Sequence, residues 1–85
     1  MNANYLYEIF ETTEKHDAPD LHIGFAMLKV EKDIPVGMTE KGIKSFLANH
    51  YSTLVAAYKE HDRDVFAKAV EDCETKDATA QELRV

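Results

Sequence analysis

The chain has 85 residues and a formal net charge of −6, with 16 acidic and 10 basic side chains. This length predicts one small domain, residues 1–85. The basic residues form no stripe, which argues against direct nucleic-acid binding and against binding to an anionic membrane. A single cysteine excludes an internal disulfide. We find no secretion signal and no apolar run long enough to span a bilayer, and therefore expect a cytoplasmic protein.

The N-terminal part of the chain fits two kinds of secondary structure. Residues 5–13 are rich in aromatic and β-branched side chains, and apolar residues alternate between Leu21 and Met27, as in strands. We therefore favour an α+β fold, in which an N-terminal β-hairpin packs on a C-terminal two-helix hairpin. The alternative is an all-α fold of four short helices, because residues 5–13 also contain a helical spacing and Pro19 suits a first helical turn.

A long helix is predicted for residues 39–61. The segment 34–37, which contains a proline and a glycine, marks a break before it, and Thr39 is a good N-cap. Apolar and histidine side chains recur at helical spacing along it and predict a buried stripe. These positions are Ile43, Phe46, Leu47, His50, Leu54, Ala57, Tyr58 and His61.

The face of this helix opposite the stripe carries only small, uncharged side chains. They are Ser45, Ala48, Asn49, Ser52 and Ala56, and we call them the α3 strip. No charged residue occurs between Lys44 and Lys59, whereas a solvated helix face usually has several. The strip therefore predicts a contact with a partner protein or a second subunit. The alternatives are a plain solvent-facing surface, or a contact with the first half of the chain.

A second helix is predicted from Asp62 or Asp64 to about Glu74. Phe66, Ala69, Val70 and Cys73 form its apolar face, and either aspartate could cap its start. The short break between the helices predicts an antiparallel hairpin. Residues 75–85 are polar until near their end and are expected to form a frayed tail or a short strand.

The candidates for chemistry in this sequence are weak. Residues 14–22 contain Glu14, His16, Asp17, Asp20 and His22, but their spacing matches no known ligand pattern. We expect His50 to lie at the edge of the core with its ring nitrogens bonded. Cys73 lies on an apolar face among acidic residues, so we expect a raised thiol pKa and an unreactive thiol.

These observations favour a small acidic protein-binding module that acts as an adaptor, regulator or inhibitor of another protein. The α3 strip would make the contact, with a homodimer as one form of it. One alternative is an acidic mimic of nucleic acid that blocks a DNA- or RNA-binding protein. Another is a small metal-dependent or acid–base enzyme that uses residues 14–22. We expect no catalytic residue, metal or cofactor.

Overall fold

The computed structural model describes residues 1–16 and 18–83, and of residues 80–83 the backbone alone. Four α-helices account for most of this part of the chain, and no strand occurs within it. The helices are α1 (Ala3–Thr13), α2 (Pro19–Lys32), α3 (Glu40–Tyr58) and α4 (Arg63–Leu83). The predicted α+β fold is therefore wrong, and the all-α alternative is correct.

The segment predicted as the first strand is helix α1. Asn2 caps it, since its side-chain oxygen accepts a hydrogen bond from the backbone N–H of Tyr5 at 3.1 Å. Leu6, Ile9 and Phe10 are buried at helical spacing. Their burial against the other helices outweighs the local preference of aromatic and β-branched residues for strands.

The segment predicted as the second strand is helix α2, with Pro19 in its first turn. In a strand, alternate residues from Leu21 onward would share one face. The helix instead buries His22 and Ala26, and leaves Leu21 and Phe25 exposed. Leu21 and Phe25, which a strand would bury, therefore reach solvent in the helix.

Helix α3 confirms the predicted long helix and its cap. The Thr39 hydroxyl accepts a hydrogen bond from the N–H of Gly42 at 3.1 Å. The helix ends at Tyr58, one turn earlier than predicted, and His61 adopts a left-handed conformation with φ of 55°. This conformation cannot continue a right-handed helix, so the chain turns here.

Helix α4 confirms the predicted hairpin but extends further. The Asp62 side chain accepts hydrogen bonds from the N–H groups of Asp64 and Val65, at 2.9 and 3.3 Å, and so caps it. The helix continues to Leu83, so neither a frayed tail nor a strand describes residues 75–83. Residues 84–85 of that predicted tail, and Asp17 of the 14–22 segment, lie outside the described residues.

Consecutive helices run antiparallel, as their end-to-end contacts show. The Tyr5 hydroxyl, near the start of α1, donates to the carbonyl of Asp33 just after α2. Lys44, in the first turns of α3, forms an ion pair with Glu31 near the end of α2 at 2.7 Å. Helix α1 packs against α2 and α4, and α3 packs against the same two helices. The result is an up-down-up-down four-helix arrangement.

The core is centred on the fully buried ring of Phe10. Its centroid lies 5.3 Å from that of His22 on α2, and 6.0 and 5.9 Å from those of Tyr51 and Tyr58 on α3. On α4, Phe66 packs edge-on against it at 5.8 Å. One side chain of α1 therefore contacts all three other helices through aromatic rings.

Removing buried side chains from the α3–α4 hairpin should destabilise the fold strongly. Leu54→Ala and Phe66→Ala should each lower the free energy of unfolding by about 2–5 kcal/mol, because both residues are almost fully buried. Val65→Ala is the matched control on α4, since Val65 is exposed. Urea unfolding followed by circular dichroism measures all three. A midpoint for Leu54→Ala equal to that of the wild type would contradict this packing.

The Cys73 thiol should react slowly in the folded protein. The side chain is buried, and this burial raises the pKa of the thiol, so little reactive thiolate forms. Labelling with a chromogenic disulfide reagent should be slow in buffer and fast in urea. Equally fast labelling in both conditions would place Cys73 on the surface.

Candidate functional site

The α3 strip lies on one exposed face of the protein. All five of its side chains, at positions 45, 48, 49, 52 and 56, are classed as exposed. The first half of the chain therefore does not cover them. Their role as a partner contact remains a prediction.

The chemistry-bearing residues of segment 14–22 separate into two groups. Glu14, His16 and His22 line one cleft, together with His61 from the turn after α3, whereas Asp20 does not line it. Among the described residues, no group of three or more histidine, cysteine, aspartate or glutamate side chains is arranged to hold a metal ion.

This cleft, which we call the histidine cleft, lies between the α1–α2 connection and the C-terminal end of α3. Its volume is about 640 Å³. It is lined by Glu14, Lys15, His16, Pro19, His22, Tyr51, Val55, Tyr58, Lys59 and His61. Three of the four histidines of the chain therefore lie around one cavity.

His22, which is buried, and Tyr51, which is partly buried, form a polar pair in the wall of the cleft. The Nδ1 atom of His22 lies 2.8 Å from the Tyr51 hydroxyl, while its buried Nε2 has no hydrogen-bond partner within residues 1–16 and 18–83. Burial lowers the pKa of His22, and the Phe10 carbonyl opposes this only in part. The ring is therefore neutral near pH 7, and the Tyr51 hydroxyl donates to Nδ1 if the proton is on Nε2.

Tyr58 and Glu14 form a second polar pair in the same wall. The Tyr58 hydroxyl donates a hydrogen bond to Oε2 of Glu14. Burial, followed by the hydrogen bond to Glu14, raises the pKa of Tyr58, so the phenol stays protonated. One Glu14 oxygen is thereby engaged within the protein.

The second concave surface is a groove between α1 and α2, which we call the α2 groove. Its volume is about 410 Å³, and it shares Lys15 and His16 with the cleft. The His16 ring stacks on Phe25 with a centroid distance of 3.7 Å. The groove is lined by Thr12, Thr13, Lys15, His16, Phe25, Leu28, Lys29 and Lys32.

The α2 groove combines apolar and basic side chains. Leu21, Phe25 and Leu28 follow one another along the outer face of α2 and are 56, 40 and 50% exposed. None of the described side chains that line the groove is acidic. This surface was not predicted from the sequence, because Leu21 and Phe25 would lie in the core if the segment were a strand. Had the segment been predicted as a helix, the i, i+4, i+7 spacing of these three residues would have indicated the apolar surface.

The remaining predicted residue, His50, lies outside both cavities. Its Nε2 atom lies 2.9 and 3.0 Å from the two carboxylate oxygens of Asp77, and its ring packs on Phe46. The expected place at the core edge is confirmed. This pair joins α3 to α4 and is structural.

No family model matches the chain, and no curated protein or solved structure is significantly similar to it. Within residues 1–16 and 18–83, no helix has the length and apolar character needed to cross a membrane.

The buried His22 should make the fold sensitive to acid. Its pKa is lower in the folded state than the ordinary value of 6.5, so the unfolded chain binds more protons. The contribution to stability is therefore complete above about pH 6.5 and is lost as the pH falls below it. Melting temperatures measured between about pH 7.5 and pH 5 should fall less steeply for His22→Gln than for the wild type.

His61→Asn is the matched control, because His61 is exposed and asparagine tolerates its left-handed conformation. It should keep the wild-type slope. Parallel curves for His22→Gln and the wild type would show that His22 titrates normally.

Proposed function

We propose that this protein is a small protein-binding module that holds an acidic amphipathic helix of another protein in the α2 groove. It would thereby act as an adaptor, regulator or inhibitor of that protein. The observation that carries the proposal is the groove itself, where exposed apolar side chains lie beside three lysines on a protein of net charge −6.

Charge complementarity supports an acidic partner. Lys15, Lys29 and Lys32 form no ion pair with any described residue, whereas Lys44 contacts two glutamates, at 2.7 and 3.5 Å. An approaching carboxylate would meet three cations and no acidic side chain in the groove lining. Three lysines on an acidic protein are too few for a nucleic-acid footprint.

The apolar side chains support a helical partner. Leu21 and Leu28 are seven residues apart, so the exposed stripe extends about 10 Å along α2. Grooves between two helices accept the apolar face of a third helix, with anchors at i, i+3 or i+4 and i+7. Burying Phe25 and Leu28 would supply the hydrophobic part of the affinity.

Binding, rather than catalysis, is the function we propose, with the cytoplasm as its location. The single cysteine suits a reducing compartment and is buried, with a raised pKa that disfavours a nucleophilic role. The α3 strip is the second candidate surface for a partner or a second subunit, because its small side chains permit close approach of another backbone.

The test uses a synthetic amphipathic peptide of about 16 residues, with leucines at helical spacing flanked by glutamates. Its control is the same peptide with lysine in place of each glutamate. Nuclear magnetic resonance titration of the labelled protein should give a dissociation constant on the order of 10–100 μM for the acidic peptide. The shifted resonances should belong to α1 and α2, and the basic peptide should bind at least about tenfold more weakly.

Three variants test whether the peptide binds in the α2 groove. Phe25→Asp should abolish binding, and the combined change of Lys29 and Lys32 to glutamate should reverse the preference between the peptides. Ser52→Lys on the α3 strip should bind like the wild type. The proposal fails if neither peptide binds, if both bind equally, or if Ser52→Lys alone disrupts binding. It also fails if sedimentation shows a dimer that Phe25→Asp dissociates, since the groove would then hold a second copy.

A further inference from the structure

The histidine cleft is large relative to a protein of this size, and the proposed peptide contact does not use it. Its volume of about 640 Å³ lies within the range of cavities that hold small organic ligands. Only Lys15 and His16, at its edge, also belong to the α2 groove. The other lining side chains therefore need a separate explanation.

The cleft contains polar groups that a small core would not need for stability. His22 and Tyr58 are each only 5% exposed, and both line the cavity. A buried imidazole with an unpaired Nε2 costs stability, and an apolar residue of similar size would avoid that cost. Such groups concentrate at ligand sites, where they fix orientation.

The remaining lining side chains define the ligand. Pro19, Tyr51 and Val55 offer flat and branched apolar surface, while Lys15 and Lys59 supply two positive charges. Among the described residues, Glu14 is the one acidic side chain that lines the cleft, and its Oε2 accepts the hydrogen bond from Tyr58. A planar apolar body and a single negative charge match this combination.

We propose that the histidine cleft is a binding site for a small aromatic carboxylate. The ring would lie against Tyr51 and Val55, and the carboxylate would face Lys59 and Lys15. The polar pair of His22 and Tyr51 would form the wall behind the ring.

The test uses benzoate and 4-hydroxybenzoate as probes, with the neutral benzamide as the matched control. In a resonance titration near neutral pH, benzoate should saturate with a dissociation constant of about 1 mM or below. The shifts should map to residues around Tyr51 and Val55 and to the α1–α2 connection. Benzamide should bind at least about fivefold more weakly, because it lacks the charge that the lysines attract.

Four variants distinguish the cleft from other surfaces. Val55→Trp should fill the cavity and abolish binding, and Lys59→Gln should weaken binding about threefold or more without affecting the fold. Lys41→Gln is the control for overall charge, since Lys41 is exposed and does not line the cleft. Leu28→Asp, which places a charge in the α2 groove and lies outside the lining of the cleft, should leave benzoate binding intact.

The inference is overturned if benzoate causes no saturable shifts, or if benzamide binds equally well. It is also overturned if Val55→Trp and Lys59→Gln both bind like the wild type. An equal loss of benzoate binding in Lys41→Gln and Lys59→Gln would also overturn it, because binding would then depend on the overall charge and not on the cleft.

Discussion

The buried contact of Phe10 with aromatic rings of all three other helices is the constraint on which the fold depends. Helix α1 has only 11 residues, too few to be stable in isolation, so its helical form depends on this packing. The same rings extend outward to the histidine cleft, because His22, Tyr51 and Tyr58 have one side toward Phe10 and line the cavity with another. The core and the candidate site therefore share their aromatic residues.

This sharing sets a condition on the polar groups near the core. A hydroxyl or imidazole placed beside Phe10 must be hydrogen-bonded within the protein, or its burial is costly. Tyr58 meets the condition through Glu14, and Tyr51 meets it through His22. His22 meets it only at Nδ1. These two partly buried hydrogen bonds thus lie on the side of the core where the cleft opens.

The two helices in the second half of the chain could be predicted because their capping residues and their apolar spacing indicate the same helical segments. The caps at Thr39 and Asp62 and the apolar stripes between them indicate the same hairpin. The apolar side chains of residues 5–13 and 21–27 fit both the helical and the strand period. Packing against the other helices decides between the two structures. The cleft could not be predicted, since it joins residues 29 or more positions apart, such as His22 and Tyr51. The α2 groove appears only when its apolar residues are placed on a helix.

Helix α2 carries apolar side chains on two separate sides, so hydrophobicity alone would permit two rotations of the helix about its axis. Turned by roughly a third of a revolution about its axis, it would bury Leu21, Phe25 and Leu28 in place of His22, Ala26 and Val30. Hydrophobicity alone does not reject that arrangement, because the outer side chains are the larger apolar ones. The hydrogen bond between His22 and Tyr51 exists only in the observed rotation. This polar pair thus favours the observed orientation of the helix, as polar residues in coiled-coil cores favour one register.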